Sequence, residues 1–184
     1  EVIKELSYTL PPKPKNQTSS RPLIGWRSWV YSQSLGLLQS VTADYDWTGP
    51  VGRTLESKRI WRKRDYGSGQ RYPFEKDLGV HCFKTPSLLI SGEYRSLEVY
   101  GRLDLSGHVV EHTLGYRAQQ ATIRELWINQ LYYAQLLKKD NWFSLMKTSL
   151  ESRYECEVHI LENENAWAKF YTHEMEETQN GQLG

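Results

Sequence analysis

The clearest hydrophobic pattern in the chain is a period of two near its middle. Its apolar or small positions are Leu97, Val99, Gly101, Leu103 and Leu105. A turn candidate at Ser106-Gly107 separates this strand from residues 108–112, and a second at Leu114-Gly115 precedes residues 116–123. Because side chains on a strand alternate between its two faces, this pattern predicts a three-stranded antiparallel meander.

Further strand signals precede the meander. Residues 24–31 alternate large side chains with small or polar ones, and residues 37–41 follow after a short polar break, which is typical of a β-hairpin. Residues 79–83 have the composition of a short buried strand. Thr85, as an N-cap before Pro86 at the first helical position, predicts a short helix after residue 85.

The apolar period changes to that of a helix between residues 130 and 152. Residues 157–161 and 166–171 are predicted as two late strands. Together these elements predict an α+β fold of mainly antiparallel strands, arranged as a small barrel or a bent sheet.

The chain has 184 residues, enough to bury one substantial core without disulfides or a structural metal. Residues 1–22 contain four prolines and predict an extended arm that docks on the core or on a partner. We expect a single β-rich domain over 23–172 and a polar tail over 173–184.

Composition excludes several classes of protein. The formal net charge of +1 excludes a generally polycationic nucleic-acid coat and an acidic disordered activator. The mean hydropathy of -0.66, with no long apolar run, excludes a membrane-spanning helix. The two cysteines, Cys82 and Cys156, are far apart, so we expect no disulfide framework, a buried Cys82 and a reducing, cytoplasmic location.

The neutral total conceals two segments of opposite charge. Residues 53–71, termed here the basic segment, contain seven basic and two acidic residues. Residues 151–177, the acidic segment, contain eight acidic and two basic residues. The protein is therefore predicted to be electrically polarised, with one part suited to phosphate and another that repels it.

Aromatic residues are interleaved with the cations of the basic segment. Base stacking on an aromatic ring contributes about 1–3 kcal/mol, and each phosphate contact adds a salt-dependent increment. Trp26 and Trp29 are instead expected in the core. We predict an accessory module of a larger assembly that binds RNA or DNA. Its predicted contacts are Lys58, Arg59, Trp61, Arg62, Lys63, Arg64 and Arg117.

Two alternatives remain open. One is an enzyme that acts on a nucleotide-like substrate through His112, Glu111, Tyr116 and Arg117. The other is a protein-interaction subunit whose basic segment meets an acidic partner. The sequence has no phosphate-binding loop, dinucleotide fingerprint or paired-cysteine knuckle, and His108 with His112 lacks a third ligand, so neither a cofactor nor a metal is predicted.

The order of the motifs at residues 25–29, 36–41, 79–83 and 99–118 resembles a family of small bacterial proteins to which no activity is assigned. That family carries a G-x-V-x-L-W-G-x-V-V-x-H-x-x-G-Y-R-A block after a cysteine-containing segment that suggests zinc. The cysteines before Gly79 are absent here, so the zinc site is not carried over. The resemblance implies a bacterial protein that folds as one unit, and it directs attention to the matching residues His112, Gly115, Tyr116 and Arg117.

Overall fold

The computed structural model describes residues 13–16, 23–41, 45–53, 64–66, 70–72, 79–90, 98–134 and 142–181. The strands in these ranges are β1 (Lys13–Asn16), β2 (Leu23–Ser32), β3 (Leu37–Ser40), β4 (Asp46–Trp47), β5 (Val51–Arg53), β6 (Arg64–Tyr66), β7 (Gln70–Tyr72), β8 (Val80–Phe83), β9 (Val99–Glu111), β10 (Gly115–Asn129) and β11 (Glu157–Leu161). The helices are α1 (Pro86–Ile90), α2 (Gln130–Ala134), α3 (Trp142–Tyr154) and α4 (Glu164–Gly181). The predicted α+β class is confirmed.

The long hairpin β9–β10 is the centre of the main sheet. The outer edge of β9 pairs antiparallel with β1 and β2, and the outer edge of β10 pairs with β8 and β5 antiparallel and with β11 in parallel. Because β2 also pairs with β8, these strands form a strongly bent sheet with a partial ring. β3 and β4 extend the sheet beyond β2, while β6 and β7 form a separate two-stranded ribbon.

Several sequence predictions are confirmed locally. Residues 24–31 and 37–41 form the β2–β3 hairpin. Thr85 caps α1, since its hydroxyl accepts the Leu88 N–H at 3.3 Å. Part of the N-terminal arm docks as predicted, because β1 pairs with residues 108–111 of β9.

The predicted turn at Ser106-Gly107 is wrong. β9 runs without a break from Val99 to Glu111, and Gly107 lies within it at a φ of +73°. The pairing register with β10 shifts between Ala118 and Gln120, which marks a β-bulge at this point. A bulge uses the left-handed conformation open to glycine, so the sequence signal of a turn here encodes an irregularity inside one strand.

The predicted strand over 166–171 is also wrong, because these residues belong to α4. The Asn163 side chain accepts the Ala166 N–H at 3.0 Å and caps the helix. Trp167, Phe170 and Tyr171 then follow at helical spacing, so a cluster of aromatic residues gave the misleading signal of a strand. α4 continues to Gly181, across the boundary predicted between the domain and a tail.

The bent sheet buries one aromatic cluster on each face. Alternation along β2 directs Trp26 to one face and Trp29 to the other, and both are fully buried. The Trp29 face packs against α3, and the Trp26 face packs against α1 and α4 through Phe170. No helix in the described ranges has both the length and the apolar character needed to cross a bilayer.

The hydroxyl of Tyr154 joins three parts of the fold. It accepts the Leu38 N–H of β3 at 2.6 Å and donates to the Trp47 carbonyl of β4 at 2.6 Å. Tyr154 is fully buried at the end of α3, and burial raises its pKa to about 12, so it stays protonated and able to donate. One side-chain oxygen thus fixes the outer strands of the sheet against a helix.

Replacing Tyr154 with Phe should destabilise the protein strongly. The change leaves a buried N–H and a buried carbonyl without their partner, and each such group costs about 1–3 kcal/mol. We expect the free energy of unfolding in urea to fall by about 2–4 kcal/mol. As a control, Leu145→Ala removes a side chain that is 69% exposed on the same helix and should cost no more than about 0.5 kcal/mol. Equal losses in the two variants would contradict this role for the hydroxyl.

Candidate functional site

The turn between β9 and β10, together with the end of β8, forms the polar tip of the central hairpin. Glu111 and Tyr116 are direct partners across the hairpin. Lys84 reaches both, since its Nζ lies 3.0 Å from the Glu111 carboxylate and 5.4 Å from the centre of the Tyr116 ring. Gly115 lies so close to the Cys82 carbonyl that a Cβ would overlap it, so the approach of β8 to β10 requires glycine here.

His112 and Arg117 lie at the same tip. The Arg117 side chain is only 3% exposed. Burial, reinforced by the charges of Arg117 and Lys84, lowers the pKa of His112 to about 4, so its imidazole is neutral at physiological pH. The structure thus brings the predicted group of Glu111, His112, Tyr116 and Arg117 to one tip.

A small crevice lies between β8 and residues 112–117 of the tip. Its volume is about 10 Å³, which is close to the space that one water molecule needs. Cys82 lines it, and burial raises the pKa of this thiol to about 12, which makes it a poor nucleophile. The predicted burial of Cys82 is confirmed. Within the part of the chain that the structure describes, the tip therefore has no cavity for a nucleotide-like substrate.

Most of the predicted nucleic-acid contacts fall outside the described residues. These are Lys58, Arg59, Trp61, Arg62 and Lys63. Arg64 is described as the first residue of the separate ribbon, where it pairs with Tyr72. Trp26 and Trp29 are buried as predicted, so neither can offer a ring face to a base.

The basic segment begins on β5, and the chain after it returns to the sheet at β8; both strands pair with neighbouring stretches of β10. Arg53, at the end of β5, pairs with Gln120, and Val80, at the start of β8, pairs with Ala118. A strand rises about 3.4 Å per residue, so these attachment points are only about 7 Å apart along β10. The chain therefore leaves the sheet after Arg53, opposite Gln120, and rejoins it at Val80, opposite Ala118 and next to Arg117 along β10.

A much larger groove lies toward the other end of β10. It has a volume of about 760 Å³ and lies between β11, α3 and α4. The charged residues that line it are Glu125, Glu151, Glu157, Glu162, Lys147 and Lys169, with His159 and His173 beside them. Carboxylates outnumber amines, so this groove favours cations over phosphate.

Three potential metal ligands converge on this groove. They are Glu125 of β10 and Glu157 and His159 of β11, and one donor atom from each lies within 4.8 Å of the others. The parallel pairing of β10 with β11 sets Glu125 opposite Glu157 and Trp127 opposite His159. The sequence did not reveal this group, because Glu125 is 32 residues before Glu157 and ordinary spacing gives no sign that the two strands pair in parallel.

Comparison with protein-family models, with curated proteins and with solved structures finds no match to this chain.

The depressed pKa of His112 should make stability depend on pH. The folded protein binds this proton at a pKa of about 4, and the unfolded chain binds it at 6.5, so the unfolded state gains the proton first as pH falls. Stability present above pH 6.5 is lost as pH falls toward 4.

We expect His112→Gln to remove this contribution. Between pH 6.5 and 4, the wild type should lose about 1–2 kcal/mol more unfolding free energy than the variant, a value reduced for the solvent that reaches the half-buried ring. Urea unfolding at a series of pH values measures the difference. Parallel pH profiles for the two proteins would show that His112 titrates normally.

Proposed function

We propose that this protein is a nucleic-acid-binding accessory module, and that the basic segment with its neighbouring ribbon is the contact surface. The observation that carries the proposal is the attachment of β5 and β8 to neighbouring stretches of β10. The chain that carries the basic segment is thus tethered at both ends to one strand of the sheet. Neutralising several phosphates from one region gives an affinity that depends steeply on salt.

The separation of charge along β10 supports the same proposal. The basic segment begins at Arg53, which pairs with Gln120 of β10. β11 belongs to the acidic segment and pairs with residues 125–129 of the same strand. A phosphate backbone is thereby attracted to one part of the sheet and repelled from the groove at the other. Such polarity orients a bound strand as well as attracting it.

In this proposal the polar tip contributes to the electrostatic potential and makes little direct contact with the nucleic acid. Arg117 was predicted to touch the nucleic acid, but its side chain is buried, so its contribution is the positive potential beneath the tip. Lys84 is part exposed beside β8, but its charge is paired with that of Glu111, so the ion pair adds little net potential. The aromatic stacking partners of this proposal are Trp61 and Tyr66 of the basic segment, because Trp26 and Trp29 belong to the core.

The two alternatives predict different behaviour. The enzyme needs a substrate cavity near His112, and the crevice there has room for about one water molecule. The protein-interaction subunit uses the same cations on an acidic protein, so it shares the dependence on salt but shows no binding to RNA or DNA.

Binding of short labelled RNA, single-stranded DNA and duplex DNA should be measured by fluorescence anisotropy. We expect affinity to fall steeply between about 50 and about 200 mM salt, as it does when several phosphates are neutralised. The double variant Arg62→Glu/Lys63→Glu should bind at least about ten-fold more weakly, with a shallower salt slope, by about 0.7–0.9 for each lost phosphate contact.

The matched control is Lys147→Glu/Lys169→Glu, which makes the same change of charge at the groove. It should bind within about two-fold of the wild type, since those lysines lie away from the proposed contact surface. Equal losses in both double variants would mean that binding depends on the net charge of the protein and not on the basic segment. Absence of binding by the wild type to all three nucleic acids would overturn the proposal, and binding to an acidic protein alone would favour the interaction subunit.

A further inference from the structure

The groove at the far end of β10 brings three potential metal ligands close together. His159 Nε2 lies 2.7 Å from Glu125 Oε1 and 3.9 Å from Glu157 Oε1. Zinc bonds of about 2.0–2.2 Å in tetrahedral geometry place neighbouring ligand atoms roughly 3.3–3.6 Å apart. The 2.7 Å separation is a hydrogen bond between His159 and Glu125, so a bound ion would replace the proton that these two atoms share and move them slightly apart, while Glu157 moves slightly closer.

Neighbouring residues hold two of the donors in place. Arg102 Nη2 lies 3.7 Å from Glu125 Oε2, on the oxygen that does not face His159. The His159 ring stacks on Trp127, with 5.3 Å between ring centres and 27° between planes. Outer contacts of this kind orient ligands in known metal sites, and here they leave Glu125 Oε1 and His159 Nε2 directed toward one another.

The three donors differ in burial in a way that suits a bound ion. The side chain of Glu125 is 15% exposed and that of His159 is 35% exposed, whereas that of Glu157 is 74% exposed. Two donors therefore come from the wall of the groove, and the third can close over the ion from outside. The remaining coordination positions face the groove.

We propose that Glu125, Glu157 and His159 bind a divalent transition-metal ion, with Zn²⁺ as the best fit. One imidazole and two carboxylates suit an ion of borderline character better than Ca²⁺, which prefers oxygen ligands alone, or Cu⁺, which prefers sulfur. Three protein ligands leave a position for water that opens into the groove. This site is separate from the proposed nucleic-acid surface, because it lies in the acidic groove.

The direct test is calorimetric titration of Zn²⁺ into the chelator-treated, full-length chain. We expect one equivalent to bind with a dissociation constant below the millimolar range. Glu157→Gln is the most informative variant, since the residue is largely exposed and its amide keeps the shape of the side chain. Glu157→Gln and His159→Gln should each weaken binding by at least about ten-fold, because even outer-shell changes cost about 10–100-fold.

Two control variants locate the ion. Glu162→Gln changes an exposed carboxylate of the same groove that is outside the donor set, and it should bind as the wild type does. Cys156→Ser removes the nearest thiol and should also leave binding unchanged. Loss of binding in either control, or unchanged binding in Glu157→Gln and His159→Gln, would overturn the assignment, as would absence of binding by the wild type.

A second measurement locates the bound ion directly. Mn²⁺ added to isotope-labelled protein should selectively broaden the NMR signals of His159 and of the neighbouring residues on β10 and β11. Broadening centred on the polar tip, or spread evenly over the acidic surface, would show that the ion binds elsewhere. Urea unfolding of both glutamine variants without metal should confirm that they remain folded.

Discussion

The central constraint on this fold is that every backbone polar group of β10 must find a partner along both edges of a 15-residue strand. One edge is covered by β9 alone. The other edge is divided among three short strands, β8, β5 and β11, which come from separate parts of the chain. This division sets the position of everything else, because each short strand fixes the segment that follows or precedes it. The start of the basic segment, the polar tip and the acidic groove are all arranged along this one edge.

The tryptophans of the described strands are core residues. Trp26 and Trp29 lie three positions apart on β2 and point to opposite faces of the bent sheet, where each supports a separate cluster. Trp127 has a second role, because its ring packs against Phe170 at 5.1 Å on one side and stacks with His159. A residue that completes the core thus also fixes the orientation of a side chain in the groove. The packing of the core and the geometry of the groove are therefore coupled.

Local signals predicted the local structure well. Alternation predicted the β2–β3 hairpin and strands at β9 and β10, although it divided β9 in two. The composition of residues 79–83 predicted β8 and the Thr85-Pro86 pair predicted α1, since these signals depend on neighbours in sequence. The wrong predictions arose where one residue type is compatible with two kinds of local structure. Gly107 supplies a left-handed backbone to a bulge as readily as to a turn, and the aromatic residues of α4 fit a strand pattern over a short window. The polar tip was predicted because its residues are contiguous, whereas the groove depends on the parallel pairing of β10 with β11, which is a long-range contact that no local pattern encodes.

The parallel pairing of β11 also has a consequence for how the chain folds. β11 is the last strand, and residues 125–129 of β10 have no partner along this edge until Glu157–Leu161 has been synthesised and α3 has folded back across the sheet. During synthesis on the ribosome, an apolar strand edge is thus left open while about thirty further residues are added. Open edges of this kind pair readily with other chains. Late closure by a distant strand is slow and exposes the chain to aggregation. Glu125 places a carboxylate on this strand while its edge is open, and charge on an unpaired strand disfavours pairing with another chain.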